Sequence, residues 1–106
     1  MDFNDYQQHA SETSMTPSEL KGKIYYPAIG LAGEVGELLN KIKKIARDNK
    51  QADIDDIKGE LGDVLWYVSE LASQFGMSLE DVAKHNVAKL KSRKDRGMIQ
   101  GSGDNR

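Results

Sequence analysis

The chain has 106 residues, 38% hydrophobic and 30% charged, with a formal net charge of −2 and no cysteine. A single domain of this length buries roughly two-thirds of its unfolded surface, and the absence of cysteine excludes disulfides, thiolate metal sites and thiol nucleophiles. No apolar run approaches the ~18 residues of a membrane span and no charged segment precedes an apolar one at the start, so neither a membrane helix nor a signal peptide is expected, and the cytoplasm is the expected location.

The charge is divided unevenly. Residues 1–83 hold 8 Lys/Arg against 15 Asp/Glu, net −7, while residues 84–106 hold 7 against 2, net +5. An acidic part suited to metal and a basic end suited to an anion together fit a metal-bound phosphate ester; charge alone favours the plainer reading of the basic end as a solvated helix face.

Four helices are expected in chain order. The first runs from Asp2 to about Thr13 with Phe3, Tyr6 and Ala10 on one face, and Thr16-Pro17-Ser18 follows as a turn with a helix-start signal. The second runs from about Pro27 to Arg47, because the residue before a proline is pushed out of the α region while proline suits a first turn. Its apolar residues Leu31, Val35, Leu38, Ile42 and Ile45 recur at three and four. After a polar linker, Asp53 caps a third helix that continues to about Phe75 with the stripe Ile57, Leu61, Val64, Leu65, Val68, Leu71, Ala72 and Phe75, and Gly76 ends it. Ser78 caps a fourth, with Glu80 and Asp81 in its first turn, reaching about Arg93. The remainder, Lys94 to Arg106, reads as an extended, glycine-rich basic tail. The fold class is therefore all-α: an antiparallel bundle of about four helices in one domain over residues 1–106, completed by homo-oligomerisation into a dimer or tetramer, because so few helices do not cover both the third helix's stripe and Trp66.

Two carboxylate pairs stand out, Glu34-Val-Gly-Glu37 and, after 22 intervening residues, Glu60-Leu-Gly-Asp63. Residues three apart share a helix face, and like charges there destabilise a helix by a few tenths of a kcal/mol, so helix stability does not account for them. Among same-helix neighbours at i±4, only Glu37 has a cation, Lys41. At 100° per residue, each pair falls on the same border of its helix's apolar stripe, roughly 300° to 0° against stripes that begin near 20°. Counted from the linker at ~1.5 Å per residue, Glu37 and Glu60 lie roughly 20 and 14 Å along their helices, within about one turn of each other. Clustered acids without their own counter-charge ask for a hard cation, and Mg²⁺ on carboxylate oxygens and water is the usual one. Gly33 and Gly59, one turn before Glu37 and Asp63, either leave room for ions, water and phosphate or allow close helix packing.

Glu-x-x-Glu followed at this distance by Glu-x-x-Asp, in the contexts Gly-Glu-Val-Gly-Glu-Leu and Gly-Asp-Val-Leu-Trp-Tyr, resembles the MazG-like nucleoside triphosphate pyrophosphohydrolases, an all-α superfamily, over about Tyr25 to Arg93. The resemblance implies hydrolysis of an NTP or dNTP between its α and β phosphates to NMP and pyrophosphate, as in nucleotide-pool house-cleaning. It also implies Mg²⁺, with Mn²⁺ as a substitute, a helical dimer or tetramer, and Glu34, Glu37, Glu60 and Asp63 as the metal-binding acids. Asn86-Val-Ala-Lys89-Leu-Lys-Ser-Arg93 matches an Asn-x-x-Lys-Leu-x-x-Arg-like stretch of the family, so Asn86, Lys89 and Arg93, with Lys41 and Tyr67 beside the acids, are the candidate substrate-binding residues. Beyond Arg93 the chain departs from the Arg-Tyr-Pro-like end of many relatives.

Such a reaction needs the triphosphate's charge screened, the attacking water acidified and the leaving pyrophosphate stabilised, which closely spaced Mg²⁺ ions supply. A carboxylate not fully committed to metal takes the water's proton; Glu37 is the candidate catalytic base. His9 and His85 are expected at the surface or packed against a partner rather than as ligands. Trp66 is expected at a subunit interface or, alternatively, as a stacking surface for a base. Two rival classes remain: a helical oligomerisation module, which leaves three acids without same-helix partners, and a nucleic-acid binder through the basic end, which the acidic remainder opposes.

Overall fold

The computed structural model describes residues 1–15 and 23–106. Four α-helices follow one another among them, α1 (Phe3–Glu12), α2 (Tyr25–Asp48), α3 (Ile54–Gln74) and α4 (Leu79–Asp95), with no strand among the described residues. The turn expected at Thr16-Pro17-Ser18 lies outside the described residues.

Three of the four starts are set by side-chain caps, which satisfy amides that a first turn leaves without an intrahelical acceptor. The Asp5 amide donates to Asp2 Oδ1 at 2.8 Å while the Asp2 amide donates back to Asp5 Oδ2. The Asp56 amide donates to Asp53, and the Asp81 amide to Ser78. α2 begins two residues ahead of the proline, so the break expected at Tyr26 does not occur. A proline within the first turn gives up only an amide that has no intrahelical partner, which makes the earlier start inexpensive. α2 ends where Asn49 takes a left-handed conformation (φ 50°, ψ 44°), one that asparagine tolerates better than most residues. α3 ends before Gly76 at φ 70°, and α4 runs two residues beyond the expected Arg93.

α2 and α3 make the most extensive helix contact, while α1 lies against α3 and α4. Partners across α2 and α3 step in opposite directions: Gly30 meets Tyr67, whereas Lys41, further along α2, meets Glu60 and Asp56, earlier on α3. A polar hub seats α1. Gln7 Nε2 donates to Ser73 Oγ at 2.9 Å and to the Met77 carbonyl at 3.0 Å, and its Oε1 accepts from the Leu79 amide at 2.8 Å. One side chain thus ties α1 to the end of α3, the turn and the start of α4. Among the described residues Ala10, Pro27, Ala72 and Leu79 are the buried apolar ones, and much of the expected stripes stays open: Ile42 is 47% exposed, Leu61 53% and Phe75 56%.

The C-terminal residues are folded back rather than extended. Arg106 donates to the carbonyls of Met98, Ile99 and Gly103, Arg96 donates to the Arg106 carbonyl, and Asp104 pairs with Lys89 and Arg93 of α4. Gly101 and Gly103, at φ 145° and 87°, supply bends that other residues rarely adopt. The sequence shows the charges and the glycines; that a single aspartate meets two cations on the preceding helix is a matter of where the bends send it. No helix among the described residues is long and apolar enough to cross a membrane.

Candidate metal centre

Glu34 and Glu37 leave one face of α2, and Glu60 meets them from α3. One carboxylate oxygen from each of the three lies within 4.8 Å of the others. Glu60 is 8% exposed, and Glu34 is half-buried. Glu34 Oε2 and Glu60 Oε2 are both shut away from solvent with no hydrogen-bond partner in the protein, an arrangement costly for a carboxylate unless a cation or ordered water answers it. Burial, then the charges of Asp63, Glu37 and Glu60 in that order, push the Glu34 carboxyl above its ordinary value. Three carboxylate oxygen donors, two of them from acids with a buried and unanswered oxygen, fit a hard divalent cation.

Asp63 stands outside that trio. It is exposed and lines an adjoining cavity of about 300 Å³ with Thr13, Glu34, Trp66 and Tyr67. Its charge reaches across to α1, where burial first and Asp63 second raise the Tyr6 phenol. The cavity's aromatic wall is braced. Trp66 Nε1 donates to Thr13 Oγ1 at 2.9 Å, and Trp66 meets Tyr67 edge-on with ring centroids 4.9 Å apart. Tyr67 lies on the bare backbone of Gly30, where a Cβ would sit 2.1 Å from its ring, and burial is the main cause that raises its phenol. Trp66 therefore has an intramolecular hydrogen-bond partner beside the acids.

Lys41 requires a correction. It does not pair with Glu37, one turn before it; its ammonium crosses to α3, bonding Asp56 and Glu60 Oε1, the latter at 2.8 Å. The two carboxylates, Asp56 foremost, hold Lys41 well above the usual ammonium range. Glu60 thus has a counter-charge that same-helix spacing does not reveal. The glycines of α2 and α3 differ in what faces them. A Cβ on Gly33, Gly36, Gly59 or Gly62 would meet nothing within 4 Å, so close packing within the chain does not explain them, and Gly30 alone of the helical glycines seats a neighbour.

The α4 residues gather elsewhere. Lys89 Nζ is 2.8 Å from Asp104 Oδ1, and Arg93, 5% exposed, bonds both the carboxylate and the carbonyl of Asp104. Those cations, Lys89 first, hold Asp104 below the usual carboxylate range. His85, Ala88, Lys89, Asp104, Asn105 and Arg106 line a cavity that shares no residue with the one beside the acids. Asn86 is exposed on α4, and His9 is exposed 3.7 Å from Glu12. Sequence reasoning missed Asp56, Thr13 and Asp104. Asp56 was visible only as an acid one turn before Glu60, and the other two carry no local signal.

Fold and site define an all-helical protein with a carboxylate centre shared between two adjacent helices. Residues 28–98 match the family model of the MazG nucleotide pyrophosphohydrolase domain, and the chain belongs to that family. The match covers α2 from Ala28 onward, α3 and α4, and leaves α1 outside. The chain is also similar to the Gene 37 protein of Mycobacterium phage L5, with 48% identity over 115 aligned residues covering all of both chains. No solved structure matches the chain significantly.

Proposed function

We propose that this chain is a divalent-metal-dependent nucleoside triphosphate pyrophosphohydrolase that cleaves between the α and β phosphates, releasing a nucleoside monophosphate and pyrophosphate. The convergence of three carboxylate oxygens from α2 and α3, two of the acids having a buried and unanswered oxygen, carries this reading. Family membership supports it. Glu34, Glu37 and Glu60 would hold Mg²⁺, or Mn²⁺ in its place, with Asp63 beside them. The bound ion would screen phosphate charge and acidify water.

The protein's own groups do the rest. Glu37 is the exposed member of the trio and the one suited to receive a proton from water, since it does not share Glu60's engagement with Lys41. Trp66 and Tyr67 form a fixed apolar wall beside the acids, a surface for the base of the nucleotide. In this reading Lys89 and Arg93 meet phosphate oxygens by exchanging Asp104 for them, with Asn86 beside them on α4. The opposite stepping of partners along α2 and α3 supports an antiparallel hairpin. A dimer or dimer of dimers is supported by the open stripes and by a radius of gyration of 16.5 Å, against about 13 Å for a compact chain of this length.

Mg²⁺-dependent release of pyrophosphate from a panel of ribo- and deoxynucleoside triphosphates tests the reading. Wild type should turn over at least one of them, and Glu60→Gln should keep its helical circular dichroism while losing at least a hundredfold in kcat. Full activity in that variant would remove the acids from the chemistry.

A further inference from the structure

The Lys41 ammonium faces two carboxylates of different standing. Glu60 belongs to the acid trio, is 8% exposed, and has one oxygen 2.8 Å from Lys41 Nζ and the other buried without a protein partner. Asp56, one helical turn earlier on α3, is half-exposed and lies outside the trio. An ammonium bonded to a metal ligand has two opposing effects: it draws off negative charge that the ion needs, and it fixes the ligand's rotamer. Asp56 decides between them. Its charge on the same ammonium leaves the Asp56, Lys41 and Glu60 chain at net −1, the charge Glu60 has alone, so the attraction for a cation is largely retained while the orientation is gained. Lys41 is also fixed at both ends of its reach, which limits its freedom to follow a substrate.

Resting on the metal-site reading above, we propose that Lys41 and Asp56 are positioning residues: Asp56 anchors the Lys41 ammonium, and Lys41 holds one oxygen of Glu60 so that its second oxygen is free for the ion shared with Glu34 and Glu37. Outer partners of metal ligands commonly contribute 10–100-fold to metal affinity. Lys41 thereby leaves the set of substrate contacts, and Asp56 joins the site although it lies outside both acidic pairs.

The test is direct titration of Mn²⁺ into the full chain without nucleotide, following free Mn²⁺ by electron paramagnetic resonance, with circular dichroism as the folding control. Lys41→Met should weaken Mn²⁺ binding about tenfold or more, and Asp56→Asn several-fold. The double variant should lose little beyond Lys41→Met, because the positioning by Asp56 runs through Lys41. Lys41→Arg, whose guanidinium also bridges two carboxylates, should restore most of the affinity. At saturating Mn²⁺, Lys41→Met should show an unchanged KM for nucleotide. Wild-type affinity or tighter binding in folded Lys41→Met overturns the inference, as does a raised KM at saturating metal with unaltered Mn²⁺ binding, the signature of a substrate contact. If Lys41→Met does not fold, the surface variant Asp56→Asn decides, and unchanged Mn²⁺ affinity there overturns it too. No saturable Mn²⁺ binding by wild type would overturn the metal-site reading itself, whereas wild-type binding with indifferent variants overturns only the positioning roles.

Discussion

Two carboxylates of this chain are shifted in opposite directions, and the stability consequences have opposite signs. Glu34 is raised by burial and by three neighbouring acids, so its ionised form costs the folded state stability above its folded value. That cost fades as pH falls through the raised value toward the ordinary 4.5, where the unfolded chain also takes its proton. Glu34→Gln removes the charge and should raise the melting temperature of metal-free protein at pH 7. It should also shrink the stabilisation that Mg²⁺ gives wild type, since an ion stabilises only through the native site. Differential scanning fluorimetry with Mg²⁺ and with chelator checks both. Asp104 is lowered by Lys89 and Arg93, so its contribution is complete above its ordinary 3.8 and is lost as pH falls through the lower folded value. Amide exchange in residues 97–106 should accelerate across that acidic range, after allowance for the intrinsic pH dependence of exchange. Asp104→Asn should show the faster exchange already at pH 7.

At the scale of elements, the attachment of α1 depends on one amide side chain. Gln7 makes three hydrogen bonds that reach α3, the connecting turn and the first residue of α4, while the apolar contribution of α1 is centred on the small Ala10. Gln7→Ala leaves the partly buried Leu79 amide without its acceptor, and a cost of about 1–3 kcal/mol follows. Chemical denaturation should report a loss in that range. Because Thr13 at the end of α1 braces Trp66, the same variant should shift the tryptophan emission of the native state.

For the whole molecule, the apolar stripes of α2 and α3 are only partly used within one chain. Val35, Ile42 and Leu61 remain 37%, 47% and 53% exposed, and exposed apolar area of that kind on a small helical domain is usually covered by another copy. Light scattering at micromolar concentration should give a mass of at least two chains. Leu61→Glu, which places a charge on the open stripe, should reduce it toward 11.8 kDa. A wild-type monomer would show that the stripes serve something other than self-association.

The four helices, the Asp53 and Ser78 caps and three of the acids were legible in the sequence because each depends on short-range rules: a 3.6-residue period, a capping aspartate or serine, a glycine past the end. Spacing alone placed Glu34 and Glu37 on one face and aligned Glu60 with them, which the structure brings within 4.8 Å. Partners on the neighbouring helix were not legible. Lys41 looked like the mate of Glu37 because both share one helix, yet the register between α2 and α3 gives it to Asp56 and Glu60. Register also seated Tyr67 on Gly30, and α1 found Trp66 across 53 residues. The sequence determines which residues share a helix face, since that follows from the turn of a single helix; only the tertiary structure decides which charges neutralise one another, since that depends on how two helices slide and rotate until their side chains interlock.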